Sequence, residues 1–589
     1  MRFTGLVSAA LLFASAAAAA EIEAPRVTVT QVDWAAAAGS LSGHDDSSNG
    51  AKTPTAEFAR ISEQTAKRFK NIGKASVPVL LPMDSAGYLA DAAAGKADAA
   101  TSDKYFGPFH PNLFVPGPAG YTATFLLNQG DGGFTVHYKK KPIEIEITGA
   151  GFTYDLDGPD HQEVFPAKDL QDAFPGIQRI LREAHVRYVF TRFGVPYVVS
   201  IQCYDMRPST RHLSCREADP IAVKFLRQLN TAGGTPQKIA EPHLDLARPE
   251  KKSSDFTYYG PGDLIPNTGW RKMPGRADYH VYAEMHFPIA NAPAYIKSQS
   301  FMPWGDCYRS GHTGRLGRKD AAYTCKVNGL PLTFNEAAAV NFNYPWRDNF
   351  CELRDFLVGQ CPGGYGHQGE DIRPSNCVQD NEGADRCLPY QHSVAAVRDG
   401  PIWRLRGNLA AYLVLNTANE FVRLRYLHMN PKMMDDEGLV TGREVSQGEI
   451  IGKVATWGDF ESGTSYHLHF NMQVFTKVGW VWVNPYMSLV LAYERMIGAR
   501  GNELHEGDAV PPVPAKPPVV LHPPIVPEPK QAPTISADNA KPAESSTAET
   551  VKPPEQRAAE TVKPVKHVKP ERKRKPRRHR RRRHRSDDD

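Results

Sequence analysis

The chain has 589 residues, with 70 Lys+Arg against 65 Asp+Glu and a formal charge of +5. Residues 561–589 hold 14 Lys/Arg and 4 acidic residues, a local net of +10, which leaves −5 on everything before them. The basic balance therefore belongs to the end of the chain and argues against a nucleic-acid-binding fold, and no apolar run beyond the N-terminus approaches the ~18 residues of a membrane-spanning helix.

In chain order, the first segment reads as an export signal. Arg2 precedes the apolar stretch Leu6 to Ala14, and Ala18-Ala19-Ala20 supplies small residues before Glu21. Residues 21–55 are rich in Ala, Ser and Gly and read as a flexible lead-in. Ala56 to Gly73 has helical spacing, with Phe58, Ile61, Ala66 and Phe69 on one side. From Val77 to about Gly158 the texture is β, with strands expected at Val77 to Leu81, Tyr121 to Leu127, Phe134 to Tyr138 and Ile143 to Ile147. A helix is expected at Gln178 to His185, a strand at Arg187 to Ile201 and a helix at Asp219 to Asn230. Residues 56–235 thus form an α+β module, which carries no chemical motif.

Residues 236–295 are polar and Pro-rich, a connecting segment. From 296 to 500 strands dominate (Ser393 to Arg398, Ala411 to Leu415, Phe421 to His428, Glu449 to Val454, Tyr466 to Phe475), and a mainly antiparallel β domain follows. Residues 511–589 hold 16 of the chain's 48 prolines, so 501–589 read as a disordered linker and basic tail. The eight cysteines fall into local pairs, Cys203/Cys215, Cys307/Cys325, Cys351/Cys361 and Cys377/Cys387, and no CxxC occurs. Disulfides are the expected use, although eight cysteines allow 105 pairings.

Two spacings in the β domain carry chemistry. His367 and Asp371 form an HxxxD, and His467 and His469 form an HxH inside an apolar strand. Each alone is cheap in a chain with 20 histidines, and the tail supplies a second HxxxD in His584 and Asp588. Together they have a purpose. Alternate strand residues share a face, so His467 and His469 address one point. Three N/N/O ligands leave zinc one open position, as in catalytic sites. His428 ends another expected strand and offers a further imidazole.

With these motifs in order, the chain resembles the lysostaphin/LytM-type zinc metallopeptidases, which cut peptide bridges in peptidoglycan. The matching segments are HxGxD (His367, Gly369, Asp371), YxH (Tyr426, His428) and HLHF (His467 to Phe470), with Val445 to Gly452 and Val483-Asn-Pro as supporting stretches. The resemblance covers about residues 340–490. It implies His367, Asp371 and His469 as ligands of Zn2+, His467 as general base, and His428 as the residue that orients or stabilises the developing oxyanion. Two departures stand out: Cys377 to Cys387 is inserted after the first motif, and Met429 replaces a common Leu.

The expectation is a periplasmic zinc endopeptidase acting on peptidoglycan cross-links, without nucleic acid as partner and without a transmembrane segment once the signal is removed. The alternative is a non-catalytic peptidoglycan-binding or amidase-activating protein on the same scaffold. The tail is expected as a solvated arm or as an anchor to an anionic envelope polymer. His280, Glu284 and His286 form a weaker candidate metal cluster, His392 reads as structural, and Glu370 as a neighbour of the ligands or a solvated side chain.

Overall fold

In a computed structural model the described residues run from 21 to 509. They are interrupted mainly at 43–52, 97–101, 263–276, 297–305, 311–321, 332–344, 379–386 and 405–410, with shorter breaks elsewhere. The expected signal segment and the Pro-rich basic tail lie outside them. The described residues are mixed α and β and mostly β, with six α-helices and sheets that are antiparallel except for one pairing, Lys252–Tyr259 with Arg500–Leu504.

The first large sheet has seven antiparallel strands. Its order is His110–Gly117, Gly120–Leu127, Ile143–Ala150, Val195–Gln202, His185–Arg192, Gln178–Arg182 and Glu163–Pro166. The alternation in Ile143–Ala150 separates two faces. Ile145 and Ile147 belong to the main core, and Phe125 of the next strand meets Phe225 of the helix Cys215–Arg227 at 5.4 Å between ring centroids. That helix starts where its sequence says it should: Ser214 and Glu217 form a reciprocal capping box.

The second large sheet has eight strands, in the order Ala294–Ile296, Glu370–Pro374, Leu468–Thr476, Val422–Leu427, Ala411–Asn416, Gly400–Arg404 and Glu444–Val445, with Gly479–Val483 also paired to Leu468–Thr476. Register puts His469 opposite both Asp371 and Leu427, Asn471 opposite Arg425, and Gln473 opposite Arg423 and Trp482. Because directly opposed residues share a face, all of these point one way, together with Trp480. The first sheet packs against that face. Arg423 pairs with Glu146, Trp403 Nε1 donates to Glu144 Oε1 at 3.0 Å, Trp480 Nε1 to Thr148 Oγ1 at 3.1 Å, and the Trp482 N–H to Glu183 Oε1 at 3.4 Å. One hydrophobic core runs through both sheets.

Several elements differ from expectation. Gln178 to His185 is not a helix but half of a hairpin, Gln178–Arg182 with His185–Arg192. Glu183 and Ala184 sit at the turn with φ of 50° and 56°. Non-glycine residues hold such backbone only where tertiary contacts compensate. Here the buried Glu183 carboxylate pairs with Arg187 and receives the Trp482 N–H, a partner 299 residues away. Phe134 to Tyr138 forms no strand; the His137 N–H instead donates to Glu217 Oε1 at 2.7 Å. The first expected helix ends early, as Pro54–Thr65.

The lead-in is not loose where it is described. Val27–Val29 pairs with Phe152–Tyr154, and the helix Trp34–Ser42 sets Trp34 edge-on to Phe58 at 4.8 Å. The connecting segment likewise holds the strand Lys252–Tyr259 and the buried Val281, Tyr282, Phe287 and Ile289. Local polarity hid these pairings because their partners lie far away in sequence.

Disulfides join Cys203–Cys215, Cys351–Cys361 and Cys377–Cys387. Register sets Cys307 opposite Cys325. Among the described residues no helix is long and apolar enough to cross a membrane.

Candidate metal centre

Two neighbouring strands build the centre. Glu370–Pro374 supplies Asp371 and Leu468–Thr476 supplies His469, paired directly across the ladder. His367 precedes the first strand and His467 the second. Gly369 is required by packing: a Cβ there would stand 2.2 Å from the Phe470 carbonyl and 2.5 Å from Asn471 Cβ. The glycine of the HxGxD motif therefore lets the two strands close.

The functional atoms converge. His367 Nε2 lies 3.1 Å from His469 Nδ1 and 3.4 Å from Asp371 Oδ1, and His469 Nδ1 lies 3.0 Å from the same oxygen. Asp371 is fully buried, and His367 and His469 are 1% and 6% exposed. Ligands bound tetrahedrally to zinc at ~2.0–2.1 Å sit about 3.3 Å from one another, which matches this triangle.

Backbone carbonyls select the ring tautomers. His367 Nδ1 donates to the Asn349 carbonyl at 3.0 Å, His467 Nδ1 to that of Ser465 at 2.8 Å, and His428 Nδ1 to that of Trp457 at 2.7 Å. In its neutral form each ring then offers a lone pair at Nε2. His467 Nε2 is 3.4 Å from Asp371 Oδ1, and no hydrogen bond satisfies it although it is buried. Lone pairs and a carboxylate facing each other at such distances repel unless a cation lies among them, so the donor set fits a metal ion.

His469 reaches Asn471 Nδ2 through its Nε2 at 3.1 Å, while Asn471 Oδ1 has no partner. With Nδ1 committed to a metal, Nε2 carries the proton, and the Asn471 amide satisfies both groups by presenting Oδ1. Burial raises the Asp371 carboxyl, but His367 and His467 outweigh this and hold it well below the usual range. Burial lowers His469 to about 4 against its hydrogen bond to Asp371, which raises it; His428 is lowered by burial and then by His467 and His469.

His428 sits just past Val422–Leu427 with φ of 70°, and Trp457 returns a backbone N–H to its carbonyl at 3.3 Å. Its ring centroid lies 4.6 Å from that of His467 and 5.9 Å from that of His469. All five sequence candidates thus meet in one place.

Other residues support them without a motif of their own. Asn349 Oδ1 accepts the Asp371 N–H at 3.1 Å. Glu370, expected beside the ligands or in solvent, is fully buried, accepts the Asn349 and Phe350 N–H groups at 3.1 Å, and is pushed well above the usual range by burial and by Asp348. Asn484 of the Val-Asn-Pro stretch donates to Asp348 Oδ2 at 2.7 Å. Glu370 lies inside the HxGxD motif and Asn484 in the Val-Asn-Pro stretch, whereas Asn349 and Asp348 lie in no segment with a readable spacing.

The weaker candidates disperse. His280 pairs with Asp278 and Glu23, Glu284 accepts the Asp245 N–H, and His286 Nδ1 bonds the Phe287 carbonyl. His392 Nδ1 meets the Tyr466 hydroxyl at 2.8 Å. Phe356, Leu357 and Tyr365, in and just after the Cys351–Cys361 loop, stand 48%, 43% and 50% exposed close in sequence to His367.

No family model matches this chain, and no curated protein does. Two solved structures are similar over part of it. One is assigned as a glycyl-glycine endopeptidase, lytM, from Ruminococcus gnavus ATCC 29149, at 22% identity and TM-score 0.17, covering 24% of this chain and 53% of that one. The other is the antimicrobial peptidase lysostaphin from Staphylococcus simulans, at 23% identity and TM-score 0.15, covering 22% and 45%. This chain spans about half the length of either. The relationship is a distant structural one.

Proposed function

We propose that the chain is a zinc-dependent endopeptidase that hydrolyses peptide cross-links of peptidoglycan in the periplasm. One observation carries the reading: His367 Nε2, Asp371 Oδ1 and His469 Nδ1 converge within 3.0–3.4 Å, with the unpartnered His467 Nε2 beside them. His367, Asp371 and His469 would hold the ion. Bound zinc supplies Lewis acidity toward a carbonyl oxygen and a water of near-neutral pKa.

The remaining steps belong to the chain. His467, its Nδ1–H anchored on Ser465, presents Nε2 to take the proton of the attacking water and then returns it to the departing amine. His428 presents an acceptor in its neutral form, so it orients that water. It becomes a donor toward an oxyanion only after gaining a proton, a change that its burial opposes. Disulfides accord with export to an oxidising compartment.

The test is digestion of purified peptidoglycan with the full chain. Cross-linked muropeptide dimers should fall to monomers, chelation should stop the reaction and added zinc restore it. Unchanged cross-link content with zinc-loaded protein would overturn the proposal.

A further inference from the structure

The sheet face that carries His469 continues into Arg425 and Arg423, the strands of the first sheet add Arg182 and Arg187, and their counter-ions are unequal. Glu183 answers Arg182 and Arg187, and Glu146 answers Arg423. Arg425 has no carboxylate. Among the described residues it makes no hydrogen bond or ion pair, and its Nε is buried without a partner. Its close neighbours are the Trp482 ring, 5.5 Å from the guanidinium carbon, and Asn471, directly opposite in the ladder. Tyr204, in the Cys203–Cys215 loop of the first module, acts on it electrostatically and is 39% exposed. Arg425 itself keeps partial exposure, so the side chain is deep but not sealed.

A partly buried guanidinium with no counter-charge carries a desolvation cost, and that cost falls when an anion arrives. The planar fork of Arg suits the two oxygens of a carboxylate. Position sets the spacing. The Arg425–Asn471 pair lies one non-adjacent step along the strands from the Leu427–His469 pair, about 6.6–6.8 Å, and an extended peptide covers that in roughly two residues.

We propose that Arg425, over Trp482, is a carboxylate subsite beside the metal centre that receives a free carboxylate of the substrate peptide about two residues from the bond cut. The assignment rests on the endopeptidase reading above and narrows it to acidic stem peptides. Asn471, between His469 and Arg425, links the two positions.

The test uses an uncross-linked stem tetrapeptide, which has no cross-link left to cut, as the free acid and with its carboxylates amidated. Calorimetric titration into the full chain should show at least tenfold tighter binding of the free acid. Arg425→Gln should bind both forms equally, at the weaker affinity, and Arg425→Lys should fall between. Equal binding of both peptides by the unaltered chain, or a preference that survives in Arg425→Gln, would overturn the subsite. If Arg425→Gln fails to fold, Arg425→Met is titrated in its place, and a free-acid preference that survives in it would overturn the subsite. Digestion of cross-linked dimers tests the endopeptidase reading separately, because binding of the acid does not require cleavage.

Discussion

At the scale of single residues, the hydrogen bonds that hold the histidines separate their tasks. His469 and His467 are two positions apart, yet one bonds Asp371 through Nδ1 at 3.0 Å while the other leaves its Nε2, 3.4 Å from the same carboxylate, without a hydrogen bond. His469→Ala is therefore expected to lose bound zinc, while His467→Ala keeps it and loses roughly 10²–10⁴-fold in cleavage rate. Zinc content and muropeptide release, measured on both variants, check this. Loss of zinc from His467→Ala would reverse the assignment. Acid acts through His469 and through rings elsewhere. His469 and His185 are held near 4 by burial, and His428 is also lowered. The unfolded chain takes up these protons first, so stability present above about pH 6.5 drains away as pH falls toward 4. Each full shift of this size is worth ~3 kcal/mol. The depressed Asp371 works elsewhere, fading only below the ordinary carboxylate range. Thermal melts of the metal-free chain should decline from pH 7 to pH 4.5; a flat profile would contradict the burial of these rings as neutral species.

At the scale of elements, the centre depends on how closely two strands approach. Gly369→Ala places a methyl group against the Phe470 carbonyl and forces Glu370–Pro374 away from Leu468–Thr476. The expected cost is about 1–3 kcal/mol in stability, together with weaker zinc binding, because Asp371 and His469 ride on those strands. Denaturant unfolding and a zinc competition titration measure the two effects. This also shows why some of the site was legible in sequence. HxGxD, YxH and HLHF are local signals whose residues stay within one strand or its approach. Asn349 and the carbonyls of Trp457 and Ser465 act through backbone geometry that leaves no spacing to read. The hairpin at Glu183 was missed for the same reason: its turn lacks Gly or Asn and is held by Trp482 from the other sheet.

At the scale of the whole molecule, the two sheets are bonded through charge as well as apolar area. The Arg423–Glu146 pair is buried between them, 277 residues apart in sequence, with the guanidinium 3.9 Å from the Trp480 ring centroid. Removing one partner strands the other, so Glu146→Ala should cost roughly 3–5 kcal/mol. The double variant Glu146→Ala/Arg423→Ala should recover part of that loss in a double-mutant cycle by chemical denaturation. Strict additivity would show that the pair is not coupled.

That lamination bears on whether the first module could be removed once the chain has folded. A pro-segment that can be clipped away must rest on a surface able to meet water afterwards. Here the first sheet covers Trp403, Trp480 and Arg423, on the face that also presents His469. Proteolytic removal at this junction would expose a sticky, half-charged wall and destabilise the second sheet. The first module is therefore expected to stay with the second sheet, and limited proteolysis that released it should leave an aggregating remainder.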